Sequence, residues 1–200
     1  MVSLSKKAIR ALGVAESFHE TSKKSILAGV VMRGDFLIDG FSFSFVTLRG
    51  NDATSSVINL YTKLNRKDIN VLMLGGVVIS LYNIVEVSKV YESLKIPIIA
   101  ITYNESEGLE EHIIRNFPNN YQEKLEAYKR LGKREKLLLK TNKEVFVRTE
   151  GIDLESCKTL LDRFTLNGKI PEPVRVARLL ARSLLRTFVE PSPVVSKQTD

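Results

Sequence analysis

The hydrophobic pattern of this chain changes period at Asn51, and that change limits the folds open to it. Before it, three β-rich runs follow one another closely: IRALGVAESF (Ile9 to Phe18), SILAGVVMRG (Ser25 to Gly34) and FLIDGFSFSFVTL (Phe36 to Leu48). In the third, Phe41, Phe43 and Phe45 alternate strictly with Ser42 and Ser44, the period of a strand with one wet face. The short breaks between the runs suit an antiparallel meander. After Asn51 the helical period takes over: in NDATSSVINLYTKL, Asn51 or Asp52 stands where a helix is capped, followed by Val57, Ile58, Leu60, Tyr61 and Leu64.

Two near-continuous apolar runs, INVLMLGG and IPIIAITY (Ile96 to Tyr103), then read as strands covered on both faces. Between them ISLYNIVEVSKVYESL has a broad apolar helical face of Leu81, Ile84, Val85, Val87, Val90, Tyr91 and Leu94. Three strands, helix, strand, helix, strand is the order of the ribonuclease H-like fold. That fold is α/β, with a mixed central sheet of three antiparallel strands followed by parallel crossovers, flanked by helices. Further on, ESEGLEEHIIRNF reads as a short helix, and YQEKLEAYKRLGKREKLLLK as a basic amphipathic helix weakened at Gly132. EVFVRTE reads as a strand, and IDLESCKTLLDRFTL and PEPVRVARLLARSLLRTF as helices. A single domain is expected over residues 1–190, with a disordered tail at 191–200.

Composition narrows the function classes. Hydrophobic residues at 44% and charged residues at 26% are the balance of a globular chain of 200 residues with one sizeable core. No apolar run is long enough for a membrane span, and MVSLSKKAIRALG carries no secretory h-region, so a cytoplasmic protein without membrane partners is expected. One cysteine, Cys157, rules out internal disulfides and a cysteine-based zinc cluster. The net charge of +7 favours polyanionic partners. It is concentrated in eight basic residues against two glutamates from Lys124 to Lys143, and in a row of Arg175, Arg178, Arg182 and Arg186. Steps of three, four and four set the row on one helical stripe. No glutamate is mixed into that stripe, so with Lys133 and Arg134 it is a candidate nucleic-acid-binding surface. The alternative is pairing with acidic groups of the same fold or of a subunit partner, and a homo-oligomer is an open expectation.

LGVAESF, AGVVMRG, LRGNDAT and VLMLGGVVISLYNIVEV, in this order and spacing, resemble the archaeal family known as domain of unknown function 99, or endonuclease dU, which is related to endonuclease V. The resemblance covers most of the chain. It implies a ribonuclease H-like fold and an ancestral, magnesium- or manganese-dependent cleavage of deaminated (uracil- or inosine-containing) nucleic acid, a DNA-repair chemistry. In the family pattern the first strand ends in two adjacent aspartates, where this chain has Ala15 and Glu16, and the fourth ends in Asp-Gly, where it has Gly75-Gly76. Asp52 persists. The residue replaced by Gly75 is the one expected to bridge the metals.

The candidate catalytic and metal-binding residues are therefore Glu16 and Asp52, with Glu86 a conceivable third ligand. Each has a plainer reading: Asp52 as a helix cap, Glu16 as a solvated residue at a strand exit, Gly75-Gly76 as room for close packing. His19 and His112 read as surface residues, and Cys157 as a small buried hydrophobe. The sequence thus leads to a nucleic-acid-binding protein whose metal-dependent cleavage is lost or altered. An active magnesium or manganese endonuclease is the second reading, and a non-enzymatic protein-interaction module the third.

Overall fold

The computed structural model describes residues 8–188, so the tail expected at 191–200 lies outside the described residues. Three antiparallel strands open the fold: β1 (Arg10–Ser17), β2 (Lys24–Arg33) and β3 (Ile38–Thr47). Helix α1 (Ala53–Leu64) returns the chain to β4 (Val71–Leu74), which pairs parallel with β1. A hairpin of β5 (Val78–Ile79) and β6 (Asn83–Ile84), then α2 (Val87–Leu94), lead to β7 (Ile98–Thr102), parallel to β4. Helices α3 (Glu110–Asn116) and α4 (Tyr121–Arg130) precede β8 (Glu135–Leu138) and β9 (Glu144–Glu150). The chain closes with α5 (Leu154–Phe164) and α6 (Glu172–Phe188). The main sheet runs β3-β2-β1-β4-β7-β9-β8, a ribonuclease H-like arrangement extended at one edge by the antiparallel pair β9 and β8.

The near-continuous apolar runs are strands buried on both sides. β4 is buried throughout, and β2 from Ser25 to Met32. Leu12, Val14, Leu72, Leu74, Ile98 and Ala100 face α1 and α2. Ala11, Ala15, Val71, Met73, Ile99 and Ile101 face α5 and α6. Gly13 lets α6 lie close on β1, because a Cβ there would stand 2.2 Å from the Pro173 carbonyl carbon.

Two sequence expectations need correction. The helix expected over residues 79–94 begins only at Val87, and its first half is the β5–β6 hairpin. Ser80, Leu81 and Tyr82 all have left-handed φ (46°, 57° and 69°), which no α-helix accommodates. The basic helix expected from Tyr121 ends at Arg130, where Gly132 at φ 67° turns the chain into β8. Along β3 the expected alternation with one wet face is present, and the structure puts Phe41, Phe43 and Phe45 on that face with Ser44 buried.

Candidate functional site at the strand tips

β1, β4 and β7 run parallel, so their C-terminal ends share one edge of the sheet. Ala15, Gly75 and Tyr103 leave this edge on the α6 side, and Glu16 on the opposite side with Val14 and Leu12. A Cβ built on Gly75 would stand 3.8 Å from the Ala15 Cβ and 2.7 Å from Val174 Cγ1. Side chains at 15 and 75 would thus emerge side by side, and Val174 of α6 occupies the space above Gly75. Val174 is fully buried.

Glu16 is turned into the hairpin. Its carboxylate accepts hydrogen bonds from the Ser80 amide (2.8 Å to Oε1, 3.0 Å to Oε2) and the Ser80 hydroxyl (2.7 Å). Ser80 Oγ also lies 2.6 Å from Ser25 Oγ. Burial raises the Glu16 pKa above the ordinary carboxylate value, and the hydrogen bonds from Ser80 and Ser25 only partly oppose this. Asp52 stands at the N-cap position of α1 but makes no side-chain cap bond. It reaches back to the Thr47 hydroxyl (2.8 Å) and to Asn83 Nδ2 (2.6 Å), while Asn83 Oδ1 takes the Ala53 amide (2.9 Å). Burial acts to raise the Asp52 pKa, but the hydrogen bonds from Thr47 and Asn83 outweigh it and hold the carboxyl below its ordinary value.

The left-handed turn between these two carboxylates is closed from the far side by Lys124. The Lys124 ammonium donates to Gly50 O (2.6 Å), Asn51 Oδ1 (2.7 Å) and Tyr82 O (3.2 Å), and lies 4.8 Å from the Phe117 ring centroid. Glu16 and Asp52 therefore both brace the 80–83 turn. Glu86 is paired with Lys89 and Arg130 and does not join them. Among the described residues no three His, Cys, Asp or Glu side chains converge as metal ligands. The cavity at the strand tips between Glu16, Gly75, Gly76 and Ile79 holds only about 10 Å³. That is room for about one water, and an octahedral magnesium ion that keeps several of its own needs far more. A two-metal centre does not fit these residues.

The basic residues fall into two groups. Arg178 lies over the Tyr103 ring (5.6 Å), and Tyr103 lines a cleft of about 750 Å³ with Lys143, Lys169 and Phe146. Arg134 stacks on Phe146 (5.1 Å) and donates to Ser106 O (2.8 Å). A second cleft of about 540 Å³ holds Lys129, Lys133 and Arg134, and Phe146 and Glu105 border both. The fold thus joins Arg178 to Lys133 and Arg134 along one edge. Arg182 and Arg186 are exposed on α6, whereas Arg175 is tied to Glu172. Burial pushes the Tyr103 hydroxyl up to about 12, and it finds no hydrogen-bond partner among the described residues. Cys157 is fully buried, its thiol pushed up to about 12 by burial. His19 is exposed against Thr21, and His112 is exposed on α3.

Residues 7–185 match the family model of endonuclease dU. The chain belongs to the endonuclease dU family. A UPF0215 protein of Pyrobaculum aerophilum is 32% identical over 180 residues, which is 88% of this chain and 96% of that one. A UPF0215 protein of Thermoplasma volcanium is 32% identical over 186 residues, covering 92% and 93% of the two chains. A protein of unknown function from Archaeoglobus fulgidus superposes with a TM-score of 0.75 at 25% identity, over 88% of this chain and 98% of its own. The endonuclease V of Ciona intestinalis, solved with a 24mer DNA containing an inosine, gives a TM-score of 0.57 at 17% identity, covering 90% and 87%. Human ENDOV gives 0.61 at 18%, covering 90% and 85%. These last two establish likeness of fold. Within the endonuclease dU family, this chain has Ala15, Gly75 and Val174 packed together at the tips of β1 and β4. Sequence reasoning missed Ser80, Asn83, Lys124 and Val174, which meet the site only through the fold.

Proposed function

We propose that this endonuclease dU family member binds nucleic acid along the strand-tip edge and α6, and that it has lost two-metal cleavage. The observation that carries the second part is Val174 seated over Gly75 beside Ala15, which puts methyl groups where a carboxylate pair would converge. Glu16 and Asp52 do not compensate, because hydrogen bonds to Ser80, Thr47 and Asn83 hold them in the 80–83 turn. The first part is supported by the exposed guanidinium groups of Arg182 and Arg186, which make no ion pair among the described residues. Arg178 over Tyr103 and Arg134 over Phe146 add cations to aromatic faces beside the open clefts, the combination that receives bases and phosphates. The inosine-containing DNA held by the Ciona intestinalis endonuclease V gives the first substrate to try.

Fluorescence anisotropy with inosine- and uracil-containing DNA and RNA, single- and double-stranded, tests the reading. Binding should weaken as salt rises, and replacing Arg182 and Arg186 by glutamate should flatten the slope by about 0.7–0.9 per lost phosphate contact. Salt-independent binding, or a slope untouched by the double change, would overturn the assignment of α6. Cleavage of these substrates by the unaltered protein with manganese would overturn the loss of catalysis.

A further inference from the structure

Leu37, Ile38, Phe41, Phe43 and Phe45 form an exposed apolar strip along β3, with the three phenyl groups 56%, 41% and 44% exposed. Sheet register places the row on the α6 side, with Phe45 beside Ile26 and Phe43 beside Ala28. Helix α6 covers Ile26 and Ala28 with Ala181 and Leu185, flanked by Leu180 and Leu184, and among the described residues the row beyond stays open. From the structure we infer that this row is the contact surface for a second copy of the chain.

Three observations select that occupant. At about 200 Å² per aromatic side chain, the strip leaves roughly 400 Å² of apolar surface in water. A dimer interface of ordinary size takes about 800 Å² from each partner, a little over half of it apolar, so the strip supplies most of that apolar share. An isologous contact sets a patch against its own copy, so a patch rich in one charge repels itself. Here the α6 flank of Leu180 and Leu184 is neutral, and on the exposed face Lys24 lies 6.0 Å from the Phe45 centroid at one end. Two-fold pairing about Phe43 carries the two Lys24 residues to opposite ends.

Nucleic acid is the less suited occupant, because Arg178 marks the cationic side of α6 and leans away from the row toward Tyr103. Strand addition at the sheet edge is opposed as well. Ser56 Oγ donates to Phe45 O (3.0 Å), Lys63 Nζ to Phe43 O (3.5 Å), and Arg66 Nη1 to Asp39 O. With the Phe45 and Phe43 carbonyls engaged from α1 and the Asp39 carbonyl by Arg66 just beyond it, β3 offers its face rather than its edge.

Sedimentation velocity over a concentration series reads the outcome directly. The unaltered protein is expected to be a dimer at tens of micromolar, and Phe41→Ser/Phe43→Ser/Phe45→Ser a monomer with unchanged circular dichroism. A photo-crosslinking residue at position 43 should join two copies through their 38–47 segments. This keeps the test decisive if the triple variant folds poorly. A monomeric unaltered protein overturns the proposal, and so does a dimer that survives the triple change or crosslinks elsewhere. A monomer whose triple variant loses nucleic-acid binding overturns it in favour of a strand laid on the phenyl row. The salt-slope experiment on Arg182 and Arg186 stands or falls separately.

Discussion

Gly75→Ala tests whether helix packing has taken over the tip of β4. Gly75 lies outside the left-handed region, so alanine meets no backbone penalty there. Its Cβ does meet Val174 Cγ1 at 2.7 Å, where ordinary carbon contacts lie near 3.5–4.0 Å. Val174 is fully buried and cannot swing into solvent, so α6 or the Val174 rotamer must yield. Overpacking of this kind costs about 1–3 kcal/mol. Val174→Ala alone removes two buried methyl groups, about 2 kcal/mol from transfer and cavity terms together. The double variant trades one for the other: the new Cβ moves into the space the valine leaves. The combined cost should fall short of the sum by about 1–2 kcal/mol. Urea unfolding measures it, with a slope of about 2 kcal/mol/M turning each single change into a midpoint shift of about 1 M. Additivity within about 0.5 kcal/mol, or a neutral Gly75→Ala, would refute the argument.

The remaining predictions follow the same contacts. Adding carboxylates at the tip, Ala15→Asp with Gly75→Asp, should give little manganese binding while Val174 is in place and measurable binding once Val174→Ala is added; calorimetric titration of both variants distinguishes them, and equal titrations would show that Val174 does not block the site. Glu16 has a raised pKa, so its contribution to stability is full below the ordinary carboxylate value and is lost as pH rises through the folded-state value. Glu16→Gln should therefore match the unaltered protein in acid, exceed it at neutral pH and flatten the stability profile; an unchanged slope in pH-dependent urea titrations would contradict this. Lys124→Met leaves Gly50 O, Asn51 Oδ1 and Tyr82 O without their buried donor, and should cost about 2–4 kcal/mol in the same assay. A loss below about 1 kcal/mol would show that water replaces the ammonium.

The sequence by itself determined the elements whose burial is two-sided or strictly periodic. β1, β2, β4 and β7 declare themselves because a strand covered on both faces needs an apolar residue at nearly every position. The family was legible in LGVAESF, AGVVMRG, LRGNDAT and VLMLGGVVISLYNIVEV, taken in their order and spacing. Tertiary structure alone decided the rest. Leu81, Ile84, Val85, Val87, Val90, Tyr91 and Leu94 satisfy a helical period, yet Ser80 to Tyr82 turn left-handed because Glu16 and Lys124, 64 and 42 residues away, bind that turn's backbone. Phe41, Phe43 and Phe45 alternate as a strand requires, but alternation cannot say which face is covered; that depends on how far α6 extends over the sheet. Glu16 and Asp52 read as metal ligands because a sequence counts carboxylates without giving their directions. The fold turns both into one hairpin, while Val174 packs over Gly75 on the opposite, α6 side of the sheet.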